Sequence, residues 1–159
     1  MTKTNVFIAT IADVLDGFFA NYQPGASPLA RARINAVRSD FERHLEIEGP
    51  RILTSGQLAI LNTEKQFKPE SAFARTMHAV ELYHTLEHYL DPAHAQLGLK
   101  QRETQVDVVA ALAARLWGGP GVSERTVSEC CVIELDLALA RAREQIGEAT
   151  KLERSLPKS

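Results

Sequence analysis

Four of the five histidines of this 159-residue chain, His78, His84, His88 and His94, fall within one short stretch. Residues 71–90 read as a single helix, and at 100° per residue Glu81, His84 and His88 share an arc of about 60°. A carboxylate and two imidazoles at i, i+3 and i+7 offer three ligands of the kinds that divalent metals take. That arc stands opposite the apolar Leu82, Leu86 and Tyr89, so the three side chains are expected on the solvent side.

Glu81-Leu82-Tyr83-His84 is similar to the Glu-x-x-His element of di-iron helical bundles, which use two such elements and two further carboxylates. This chain has no second Glu-x-x-His. His84-Thr85-Leu86-Glu87-His88 spells H-x-x-E-H and resembles the signature of the inverted zinc peptidases. That resemblance covers five residues. It implies zinc on His84 and His88, Glu87 as base and a further glutamate downstream, on a larger mixed α/β domain.

Leu112-Ala113-Ala114-Arg115-Leu116, followed by Gly121-Val122-Ser123-Glu124-Arg125-Thr126-Val127-Ser128, resembles a helix-turn-helix across the region 112–129. The resemblance implies a recognition helix opening at Ser123, with Ser123, Arg125, Thr126 and Ser128 turned toward nucleic acid. Residues 117–122 are a longer connection than the three or four residues of that motif. Glu124 and Glu129 also outnumber Arg125 where phosphate would approach. A glycine-rich loop followed by a serine N-cap accounts for the same residues.

The remaining reactive types are sparse. Cys130 and Cys131 are adjacent within a predicted helix, where neighbouring side chains diverge and cannot pair. They read as small buried residues in a reducing compartment. Arg31, Arg33, Arg38, Arg43 and Arg51 are interleaved with Asp40, Glu42, Glu46 and Glu48, the pattern of surface ion pairs. No G-x-S-x-G elbow, P-loop or G-x-G-x-x-G occurs, and no motif calls for a cofactor.

The elements that must position these residues are helical throughout. Phe7, Ile11, Val14, Leu15, Phe18 and Tyr22 share one side of a first helix, stopped by Gln23-Pro24-Gly25. Ser27-Pro28 starts a second over residues 28–48, with Ala30, Ile34, Val37, Phe41 and Leu45 as its stripe. A third covers 55–67, the fourth 71–90 up to Asp91-Pro92, and a fifth 101–117. The last runs from Ser123 to about Gly147. The fold class expected is all-α, a compact bundle of five to six helices with short Pro/Gly connections. Residues 1–150 form its single domain and 151–159 a frayed polar tail.

The last helix is apolar over more than one face. Val127, Cys131, Leu135, Leu139 and Ile146 lie in a wide arc, and Ile133 and Leu137 sit beyond it. Such a helix is either central or part of a self-association surface.

Apolar residues make up 45% of the chain and charged residues 24%, the balance of a globular domain. A net charge of −2 gives no global attraction to nucleic acid or anionic membrane. Asp13 and Asp16 interrupt the apolar run 6–19, so a cytoplasmic protein is expected. The function expected first is a non-enzymatic helical interaction or regulatory protein that binds a protein partner and self-associates as a homodimer. A DNA-binding regulator using region 112–129 is the alternative, and a metal-binding helical bundle the second.

Overall fold

A computed structural model describes residues 9–22, 25, 27–91 and 98–156. Phe7, Gln23, Pro24, Pro92 and His94, which entered the reading above, lie outside them. Among the described residues there are seven α-helices: α1 (Ile11–Asn21), α2 (Pro28–Glu48), α3 (Ser55–Phe67), α4 (Ala72–Thr76), α5 (Ala79–Tyr89), α6 (Leu99–Leu116) and α7 (Glu129–Ser155). A 3-10 turn, Gly49–Ile52, follows α2. There is no strand among the described residues, only an isolated antiparallel bridge between Thr10 and His78.

Two helix starts show side-chain capping plainly. The Ser27 hydroxyl accepts the Ala30 N–H at 3.1 Å, with Pro28 in the first turn. Thr54 and Gln57 cap α3 reciprocally. One continuous core gathers Leu15 and Phe18 of α1, Val37, Phe41 and Leu45 of α2, Leu82 and Leu86 of α5, Val109 and Leu112 of α6, and Leu135 and Leu139 of α7.

The count of seven departs from five or six because the expected fourth helix is two. Met77 and His78 are extended, and the Met77 carbonyl accepts the Ile11 N–H at 2.8 Å. A tertiary partner for the first backbone donor of α1 thus overrides local helical periodicity. The five-residue α4 is too short to persist alone. The Glu46 carboxylate of α2 accepts its Phe73 and Ala74 N–H groups at 2.8 and 3.2 Å, which satisfies free donors at its positive end. The Phe73 ring lies so close over Gly49 that a Cβ there would stand 2.5 Å from it.

A buried polar network closes the far end of α5. The Arg102 guanidinium donates to the Leu90 carbonyl at 2.7 Å and to Gln105 Oε1 at 2.6 Å. Gln105 in turn donates to the Tyr89 carbonyl at 3.0 Å, and the Tyr89 hydroxyl to Asp40 at 2.9 Å.

The last helix differs from expectation at both ends. It opens at Glu129, capped by the Ser128 hydroxyl, instead of at Ser123. It continues to Ser155, so residues 151–155 of the expected frayed tail are helical. It is also not central. Leu135, Leu139 and Ala142 are buried against the body, while Ile133 and Leu137 on the other side are each 49% exposed. No helix among the described residues is long and apolar enough to cross a membrane.

Candidate functional site

The described reactive side chains concentrate in one cleft of about 590 Å³, whose walls include Gln57 of α3, Glu81, His84, Glu87 and His88 of α5, and Cys130, Cys131 and Glu134 of α7. Helical spacing builds both long walls. His84 and Glu87 are i and i+3 on α5, and Cys131 and Glu134 are i and i+3 on α7, so each pair projects on one face. The two pairs meet where the Cys131 sulfur lies 3.3 Å from His84 Nδ1.

Glu81, His84 and His88 therefore share the cleft but not one task. Glu81 is half-buried and already engaged: it accepts the His78 N–H at 3.1 Å and the Gln57 side-chain amide at 2.7 Å. His88 is exposed. His84 is half-buried against Cys131 and does not stand on the solvated face expected of it. Among the described residues, no three His, Cys, Asp or Glu side chains stand grouped as a metal needs. The H-x-x-E-H resemblance also lacks its setting, an α/β domain with strands.

Cys130 and Cys131 are both free, and they are not the matched buried pair expected: Cys130 is exposed and Cys131 half-buried. A helix N-terminus ordinarily favours thiolate. Here burial, and then the Glu87 and Glu134 carboxylates, push the Cys131 thiol upward. Burial first, then repulsion by Glu134 and a hydrogen bond to it, raise Glu87, with His88 opposing. No Lys or Arg lines the cleft. Arg102 and Arg141 line an adjoining cleft of about 350 Å³ that shares Glu87 and His88.

The helix-turn-helix geometry is not formed. Residues 117–128 connect α6 to α7 without an intervening α-helix. Ser123 N–H donates to Thr126 Oγ1, whose hydroxyl donates to the Gly121 carbonyl. The Ser123 hydroxyl accepts the Arg125 N–H, and Ser128 caps α7. Ser123, Thr126 and Ser128 thus bond to their own backbone, and Arg125 is exposed on a turn instead of on a recognition helix.

The expected self-association residues turn inward. Val127 and Leu135 are 2% exposed and Leu139 is 8%, and Cys131 and Ile146 pack partly buried against the same core. The large apolar residues that α7 leaves uncovered are Ile133, Leu137 and, near its end, Leu152. Sequence reasoning gave Glu134 no role and did not link Cys131 to His84; it joined Glu87 to His84 only through the H-x-x-E-H string. The visible signal was H-x-x-E at 84–87 and C-x-x-E at 131–134. Comparison of the chain with protein-family models, curated proteins and solved structures finds no match in any of the three.

Proposed function

We propose that this protein is a non-enzymatic interaction protein, a compact seven-helix bundle that works as a two-fold dimer joined through the outer face of α7. The observation that carries this reading is the exposed stripe Cys130, Ile133, Leu137 and Ala140, spaced i, i+3, i+7 and i+10 on the side away from Leu135 and Leu139. That spacing is the seam of a helix pair.

A second copy suits this face in charge as well as shape. Asp136 and Arg143, seven residues apart, share one flank of the stripe and are both exposed. Antiparallel pairing about a two-fold axis near Ala140 sets Asp136 of each copy toward Arg143 of the other, and the small Ala140 allows close approach. A two-fold interface needs such self-complementarity, because one patch must meet its own copy.

Sedimentation at micromolar concentration tests the reading. The expected species has twice the 17.6 kDa chain mass, and Leu137→Glu gives the single chain. Asp136→Arg and Arg143→Asp each weaken the dimer, and together they restore it. A wild-type species at 17.6 kDa that does not change with concentration, or a Leu137→Glu variant that stays dimeric, would overturn it.

A further inference from the structure

We infer that the cleft where the end of α5 meets α6 and α7 binds a free α-amino acid with an apolar side chain, its carboxylate held by Arg102 and Arg141 and its ammonium by Glu87 and Asp91. The cleft holds about 350 Å³, within the range of small-molecule sites. Helical spacing builds its α7 wall, for Ala138, Arg141, Ala142 and Gln145 stand at i, i+3, i+4 and i+7 and line it together. The two alanines leave the room, and with buried Leu90 they make an apolar bed for a side chain.

Arg102 is the first support. It is 8% exposed, and two of its five N–H donors go to uncharged acceptors, the Leu90 carbonyl and Gln105 Oε1. Burial lowers its affinity for its proton, with Tyr89 and Asp91 opposing. A cation so placed is stabilised by an anion at its remaining donors, and a planar guanidinium takes a carboxylate in two parallel bonds. Arg141 is exposed in the same lining and forms no ion pair among the described residues.

The second support is the mixed charge of the lining. Glu87 near the end of α5 and Asp91 just beyond it line the cleft that the two guanidiniums share. An anion alone would be repelled by the carboxylates, and a cation alone by the guanidiniums. Glu87 and Arg141 do not pair with each other, so the cleft is not closed by its own charges. An ammonium and a carboxylate on one small molecule answer both signs, and the apolar bed takes the rest of it.

The test titrates the full chain with L-phenylalanine and with L-leucine, followed by equilibrium dialysis and by backbone amide NMR. The expected result is saturable binding of one amino acid per chain, with resonance shifts concentrated at His88, Ala138 and Gln145 of the lining. 3-Phenylpropanoate, which lacks the ammonium, and 2-phenylethylamine, which lacks the carboxylate, each bind about tenfold more weakly or worse, as the loss of a charge-assisted hydrogen bond implies. Arg141→Gln and Asp91→Asn each weaken L-phenylalanine by a similar factor. Arg31→Gln, in a separate cleft between α1 and α2, leaves binding unchanged. Arg102 also holds the fold, so exposed Arg141 carries the test, and circular dichroism confirms that each variant is folded. Absence of saturable binding of both amino acids, equal binding of either analogue, or wild-type affinity in Arg141→Gln overturns the proposal. The cleft lies within one chain, so none of these readouts depends on the dimer.

Discussion

Replacing Arg102 by methionine is expected to destabilise the fold by about 2–4 kcal/mol, and the reason lies in what the guanidinium leaves behind. Arg102 is 8% exposed and Gln105 fully buried. The substitution keeps most of the apolar stem but removes the donors to the Leu90 carbonyl and to Gln105 Oε1. Each orphaned buried acceptor costs roughly 1–3 kcal/mol. Against this stands the relief of an unfavourably buried cation, for burial lowers the affinity of Arg102 for its proton. Exchange of whole buried ionic groups for apolar ones is often neutral for that reason. Here both acceptors stay in place, so the loss dominates. Urea denaturation of both proteins checks it, read as a shift in midpoint at constant slope. A methionine variant as stable as the wild type would refute the reasoning and mean that water reaches the end of α5.

Gly49→Ala should cost roughly 1–3 kcal/mol, as overpacking does, because the added Cβ meets the fully buried Phe73 ring at 2.5 Å; thermal unfolding measures it, and an unchanged midpoint would place the ring elsewhere. Glu87 is raised in the folded chain, so its ionisation opposes folding, and the stability it lends at low pH is lost as pH climbs through the raised value. Glu87→Gln is therefore expected to be more stable than the wild type at about pH 7 and to lose that advantage below about pH 4, where the carboxyl is protonated in both states; denaturant titrations at the two pH values compare them. Alkylation followed by mass spectrometry should label exposed Cys130 before Cys131, whose thiol is half-buried and raised; equal rates would contradict the cleft.

What could be read in advance followed chain-local physics. Ser27-Pro28 opens α2 and the helix ends at Glu48 as expected, and Phe41, Leu45, Leu82 and Leu86 proved to be core. The misses came from partners distant in sequence. No local pattern tells Met77 to leave its helix for Ile11, or Glu46 to cap α4. The start at Ser123 failed because Thr126 competes for the same backbone groups and closes a turn before Ser128 can open the helix. At the site, spacing identified His84 as a chemical residue, but its partner sits 47 positions away on Cys131. Only the crossing of α5 with α7 joins them.

The hydrogen bond from Ile11 to Met77 also sets an order of assembly. Helix α1 leaves the ribosome before its partner, for its opening donor waits for a carbonyl 77 − 11 = 66 residues later. Closing a loop of that length costs about 3.7 kcal/mol in chain entropy beyond a constant term, and the burial of Ile11, Leu15 and Phe18 that offsets it needs the later helices in place. Until the segment around Met77 has emerged, α1 remains an unanchored apolar helix during synthesis. Helix α1 is thus secured only after the segment around Met77, and the nascent chain is open to aggregation and proteolysis there until that segment has emerged.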